Sequence, residues 1–241
     1  VLPVTTRREL PLAAKGGALS VDRELLADSL LSDAAVTVSV LRTGAFDIPA
    51  MLMTLDRYPY GCAEQTTSRA LPLLYVSELS KASGMPDDPL VQDRIKEAIT
   101  RVLSYQSSAG SFGLWGPGSG DLWLDAYVTD FLTRARARGF SVPDEAFKLA
   151  LERLRNYVST APDVSTDGGL ALSYALYVLA RNGMAPVGDV RYIADVKLNA
   201  LATPTAKAEI GAALAMLGDR VRAEKAFDAA LGALPEDAKF E

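Results

Sequence analysis

From Asp47 onward the chain is a succession of segments whose apolar residues fall at helical spacing, separated by connections with room for little more than a turn. That pattern excludes sheet-based architectures for most of the sequence. Asp47 can cap a short helix over Ile48 to Leu55, with Pro49 tolerated in its first turn. After the Tyr58-Pro59-Tyr60-Gly61 turn a second helix starts near Cys62, and Pro72 predicts a kink in it. Further helices open at Asp88-Pro89, at Asp121 and at Pro143. Gly168 to Arg181 is apolar on most faces and predicts a buried, inner helix. Asp189 to Leu201 follows, then a pair capped by Thr203-Pro204 and by Asp219 that ends near Leu234. Of the connections, only Ser107 to Gly120 is long. About nine helices in antiparallel hairpins predict an α/α solenoid or toroid over residues 47–241.

Residues 1–46 read differently. Val36-Thr37-Val38-Ser39-Val40 alternates apolar and polar, the period of a half-buried strand, and Leu2 to Leu12 is extended in character. This predicts a separate, short β segment ahead of the helices.

Composition removes several function classes. A net charge of -5 opposes the basic face that a nucleic-acid backbone requires. No apolar stretch approaches the roughly 20 residues of a membrane span, so no membrane contact is expected of this chain. The opening Val1-Leu2-Pro3-Val4 lacks the features of a targeting signal. Histidine is absent, which excludes Ser-His and Cys-His catalytic pairs and His-ligated metal sites. Cys62 is the single cysteine, so no internal disulfide can form. No metal or cofactor is expected.

Three features imitate known sites. Ala206 to Leu231 resembles one tetratricopeptide unit, but no upstream copy exists; small residues at a close helix–helix contact explain it better. Asp121 and Asp125 could pair for glycoside chemistry, yet acidic residues at a helix start suit the dipole without any catalytic role. The same dipole favours Arg134, Arg136 and Arg138 near the end of that helix. The glycine-rich loop 110–120 lacks the Gly-Lys-Ser/Thr of a phosphate cradle. Phe112 and Trp115 within it are unusual for a solvated connector and predict that the loop covers something.

Cys62-Ala63-Glu64-Gln65 is different in kind. A Cys and a Gln three apart at a helix start are neighbours, with Cβ atoms roughly 5–6 Å apart. The positive end of the helix favours the anionic thiolate as nucleophile and as leaving group. Attack of Cys62 Sγ on the Gln65 amide, with loss of ammonia, would close an internal thioester. On these four residues alone an inert, buried cysteine is an equal alternative.

The wider segment decides between them. Tyr58-Pro-Tyr-Gly-Cys-Ala-Glu-Gln-Thr-Thr-Ser-Arg-Ala-Leu-Pro-Leu-Leu74 closely resembles the thioester region of bacterial alpha-2-macroglobulins, relatives of the complement components. The family's Cys-x-Glu-Gln motif falls on Cys62, Glu64 and Gln65. Trp123 to Leu132 and Tyr174 to Gly183 also resemble helices of that domain. The resemblance implies an α/α-toroid thioester domain preceded, in residues 1–46, by the first strands of a CUB-like β-domain. The family's toroid has six hairpins, so the resemblance also implies a fragment that stops before closure. In function it implies a single-use covalent trap for proteases rather than an enzyme. A bait region elsewhere is cut, and a protease lysine attacks the Gln65 acyl carbon to leave an isopeptide bond. The partners implied are target proteases and the other domains of a larger parent. The compartment implied is the periplasm, with a lipid anchor at a distant N-terminus frequent in the family. Gly61 and Glu64 are expected to support the motif, and Tyr58, Tyr60 and Trp115 to shield it from water. The rival readings are a helical-repeat interaction module with an inert Cys62, and an α/α-toroid glycosidase or lyase using Asp121 and Asp125.

Overall fold

The computed structural model describes residues 61–83, 90–160, 164 and 166–232. The chain divides into two compact units, Val1–Arg57 and Tyr58–Glu241, and all described residues lie in the second. The β segment expected in residues 1–46, the short helix at 48–55, the Asp88-Pro89 helix start, and Tyr58 and Tyr60 fall outside the described residues.

Among the described residues the structure holds eight α-helices: α1 Ala63–Ser83, α2 Val91–Leu103, α3 Leu122–Ala137, α4 Asp144–Thr160, α5 Leu170–Arg181, α6 Val187–Tyr192, α7 Pro204–Met216 and α8 Arg220–Leu231. No strand occurs among these residues beyond one antiparallel bridge, Gln106 to Phe112. The odd-numbered helices α1, α3, α5 and α7 pack side by side in sequence order. Around them, α2 packs on α1, α4 on α3 and α5, and α8 on α7. This inner row with outer partners is the α/α-toroid arrangement that the helical periods and short turns predict.

Burial follows the layers. Phe131, Leu132 and Val128 of α3, Leu176 and Leu179 of α5, and Ile210 and Leu214 of α7 are fully buried. The outer helices contribute Ile95, Val102 and Leu154. Trp123 has the helical spacing of an inward residue, with Tyr127, Phe131 and Leu132, but it is exposed at 40% and stacks on Tyr127, while Leu124 and Val128 face the core. At the α7–α8 contact, a Cβ on Gly211 would come within 3.0 Å of the Phe227 ring, so small residues there serve close packing and not a repeat array.

Several helix ends match the expected caps and others differ. Asp121 accepts from Leu124 N at 2.8 Å, and Thr203 caps α7 through Ala206 N with Pro204 in the first turn. Asp219 does not cap α8 through its side chain; its carboxylate instead accepts from Arg191 and Arg222. The stretch expected as one helix from Asp189 to Leu201 starts earlier and changes pitch, passing from α6 through a π turn at Ile193–Lys197 to a 3₁₀ turn at Leu198–Ala200. Helix α1 continues through Pro72 as one unbroken element, so the proline does not divide it.

The inner helices are also tied by polar groups. Asp130 Oδ2 accepts from Arg134 Nε at 2.9 Å and from the Tyr174 hydroxyl at 3.1 Å. Arg134 reaches on to the hydroxyls of Tyr75 on α1 and Tyr177 on α5. Arg134 is therefore part of a buried network, beyond its suitability for a helix end. Glu209 of α7 feels this cluster: burial, and then the charge of Asp130, push its carboxyl up from 4.5 to about 8. The folded chain therefore holds a proton near neutrality that the unfolded chain releases. Stability should be greatest below pH 4.5 with respect to this group and fall as pH rises towards 8. Glu209→Gln should flatten that slope in urea titrations across the interval. An unchanged slope would place Glu209 outside the pH dependence.

Candidate functional site

Helix α1 begins with the Cys-x-x-Gln segment, and its first turn is a reciprocal cap. Cys62 is the cap residue, since its carbonyl accepts the first helical bond from Thr66 N at 2.9 Å. Gln65 N donates to Cys62 Sγ at 3.4 Å, and Cys62 N donates to Gln65 Oε1 at 3.4 Å. This is the geometry of a Ser/Thr-x-x-Glu/Gln capping box with sulfur in place of the hydroxyl. The local folding rule that starts a helix thus brings Sγ and the Gln65 amide together. It also places one main-chain N–H on each of the two atoms that would gain negative charge in acyl transfer, Oε1 and Sγ.

The surroundings close over the motif. Cys62 is buried, at 6% exposure, and Ala63 is fully buried. The next orphan donor of the helix, Ala63 N, is taken by Leu114 O at 2.8 Å. The 107–120 loop therefore does lie on the motif, through its backbone. Of its two aromatic residues Phe112 is fully buried, whereas Trp115 is 68% exposed and leaves most of its ring to solvent.

Asp125 anchors this loop. Its buried carboxylate accepts from Ser111 Oγ, from Phe112 N at 2.7 Å and from Arg153 Nε at 3.0 Å. Burial raises its carboxyl above the ordinary value, opposed by these donors. Asp121 is engaged as the α3 cap. The two carboxylates thus have structural tasks, and Asp125 has one that its position in a first turn did not reveal.

Glu64 faces the inner row, its Oε1 accepting from Ser68 Oγ at 2.7 Å, and Ser68 Oγ lies 3.0 Å from the Tyr127 hydroxyl of α3. Gly61 precedes the cap, and its carbonyl accepts from Tyr105 OH at 2.9 Å and Arg101 Nε at 3.2 Å, both on or next to α2. A Cβ at Gly61 would meet the exposed Arg101 guanidinium at 2.6 Å, so a larger residue would move that side chain. Arg101 and Tyr105 carry no sequence signal of their own; only the fold brings them to residue 61. No cluster of metal-ligating residues occurs among the described residues.

An arc of α/α hairpins whose first inner helix opens on a capped Cys-x-x-Gln pair defines a narrow class of domain. A family profile described as the A-macroglobulin TED domain matches residues 34–156, just over half of the chain. The chain belongs to that family. It is 35% identical over 221 residues to the alpha-2-macroglobulin of Escherichia coli, covering 85% of this chain and 13% of that protein. Among solved structures it is similar to native E. coli alpha-2-macroglobulin from domain MG7 to the C-terminus, with a TM-score of 0.69 and 33% identity over 80% of this chain and 32% of that one. It is also similar to Salmonella alpha-2-macroglobulin reacted with methylamine, with a TM-score of 0.67 and 35% identity over 79% of this chain and 13% of that one. The chain thus spans about one eighth of the length of the curated relatives it matches.

Asp125→Ala should leave the buried Phe112 N–H and Ser111 hydroxyl without acceptors, at about 1–3 kcal/mol each. Amide exchange at Phe112 and Gly120 should accelerate in the variant. Unchanged protection at both sites would mean the loop is held by other contacts.

Proposed function

We propose that this chain is the thioester domain of a bacterial alpha-2-macroglobulin, and that Cys62 and Gln65 form the thioester through which the parent covalently traps proteases. The observation that carries this reading is the reciprocal Cys62–Gln65 cap. It holds a buried nucleophile and a half-buried acyl group together in one helical turn, with an N–H directed at each charge-bearing atom. Sγ attacks the Gln65 side-chain carbon, ammonia leaves, and the ring closes. On activation an amine attacks the same carbon and Cys62 departs as thiolate, once per molecule, so the protein is an inhibitor and not a catalyst.

Burial covers the sulfur of Cys62, while Gln65, which carries the acyl carbon, is half-buried and needs further cover to exclude water before activation. Tyr58 and Tyr60 remain our proposed cover, and Leu114 seals the backbone side of the motif. Trp115, as exposed as it is, would contribute by holding the loop tip or by meeting another domain of the parent. The parent's protease targets, its other domains and a periplasmic location, with a lipid anchor at its N-terminus, belong to the same proposal. The rival readings have less support: an inert cysteine would serve as a cap but leaves the match of the surrounding residues to the thioester domain family unexplained, and the Asp121 and Asp125 carboxylates are engaged as a cap and a loop anchor.

Mass spectrometry tests the chemistry directly. A peptide spanning Cys62 to Gln65 should be about 17 Da lighter than encoded and gain about 31 Da with methylamine, with release of one thiol. An unmodified mass together with no methylamine uptake would refute the thioester.

Acceptor choice follows from composition. With no histidine, this chain cannot pass the acyl group through an imidazole to a hydroxyl, so amines should dominate. When the full-length parent is activated by protease in excess glycerol, adducts at residue 65 should be lysine isopeptides. Predominant glycerol ester would overturn this expectation and point to a histidine supplied by another domain.

A further inference from the structure

The Gly61–Cys62 peptide unit is held at both ends. Its carbonyl accepts from Arg101 Nε at 3.2 Å and Tyr105 OH at 2.9 Å, and Arg101 Nε also lies 3.2 Å from the Tyr105 hydroxyl. Its N–H belongs to Cys62 and donates to Gln65 Oε1. One peptide plane therefore connects two donors on the outer hairpin helix, one of them a guanidinium, to the oxygen of the acyl group.

We propose that Arg101 and Tyr105 are positioning residues for the acyl-transfer step: by clamping the Gly61 carbonyl they orient and polarise the Cys62 N–H, which serves as the oxyanion donor to Gln65 Oε1. This inference rests on the thioester reading and deepens it. Two physical effects carry it. Fixing the carbonyl fixes the plane, and so fixes the direction of the N–H. A charged donor on the oxygen of an amide also draws electron density from its nitrogen, which makes the N–H a stronger donor, as in any polarised hydrogen-bond chain. The 3.4 Å separation of Cys62 N and Oε1 is a ground-state contact; bonds of this type tighten as charge develops on the acceptor.

The electron flow is simple. An amine nitrogen attacks Gln65 Cδ, and the carbonyl π pair moves onto Oε1 beneath the Cys62 N–H. Collapse of the tetrahedral species re-forms C=O and breaks Cδ–Sγ. The thiolate of Cys62 leaves towards the Gln65 N–H and takes up the proton released by the amine. Ring closure uses the same oxyanion, with Sγ as nucleophile and ammonia as leaving group.

Gly61 fits this arrangement for a second reason. A methyl group there would meet the guanidinium at 2.6 Å and push this exposed side chain aside, so glycine leaves the clamp its present position.

The test uses the full-length parent protein carrying Arg101→Ala, Arg101→Lys or Tyr105→Phe, with methylamine as the probe. Two quantities are read: the rate of thiol release, and the thioester carbonyl stretch in infrared difference spectra recorded before and after reaction. Removing one polarising donor should slow aminolysis by about tenfold in Arg101→Ala, the weight of one hydrogen bond in a transition state. The carbonyl band should move to higher frequency, and Arg101→Lys should recover part of both effects. A folded variant that never closes its ring also supports the proposal, since closure passes through the same oxyanion. A clamp that only stabilised or shielded the motif would give the opposite result: an unshifted band with an unchanged or faster reaction. That outcome overturns the proposal. If Arg101→Ala fails to fold, Tyr105→Phe, which loses one hydroxyl, carries the same two readouts. Absence of methylamine uptake in the wild type would instead refute the thioester reading itself, so the two failures are distinct.

Discussion

The buried carboxylate of Asp125 is the contact on which the arrangement of the site depends. It joins α3 to α4 through Arg153 and holds the start of the 107–120 loop through Ser111 and Phe112. With the loop held there, the Leu114 carbonyl meets Ala63 N, the first helical donor after Cys62. A charge withdrawn from water is tolerated when its lone pairs have partners, and here the partners come from two segments, the loop and α4. The carboxylate therefore sets the distance between the loop and the start of α1.

The helical architecture was legible because it follows from local rules. Apolar period, a cap at Asp121 and the Thr203-Pro204 start each depend on a few neighbouring residues, and the structure has them. The inner position of Gly168 to Arg181 was legible as well, since a helix apolar on most faces has no side for water. What could not be read depended on distant partners. Asp219 has the composition of a cap, but two arginines, one of them from α6, compete for its carboxylate. Trp123 has the period of a core residue, yet it stacks on Tyr127 at the edge of the inner row. The pitch change after Tyr192 has no marker in the residues themselves.

The candidate site divides in the same way. Cys62 and Gln65 were legible twice, from their spacing and from the resemblance of the surrounding segment to macroglobulin thioester regions. Their reciprocal hydrogen bonding is a helix-capping rule that happens to use sulfur. The supports were not legible. Arg101 and Tyr105 lie about 40 residues away in sequence from the Gly61 carbonyl they hold, and in a linear reading Arg101 is an ordinary basic residue at the end of an outer helix. Phe112 and Trp115 were both conspicuous in the loop, but composition alone does not tell which of two aromatic rings turns inward.

The order of the hairpins has a consequence for biogenesis. Every described residue of the site and its supports, from Gly61 to Arg153, lies in α1 to α4 or in the segments that lead into and connect them, and each inner helix packs on its sequence neighbour. Such a layout has short loops to close and can assemble from its N-terminal side as the polypeptide emerges into the compartment where it folds. The cysteine and glutamine can thus be brought together before the helices from α5 onward have docked. A bond that water destroys would then be made in a compartment of the fold already sealed by its own first hairpins.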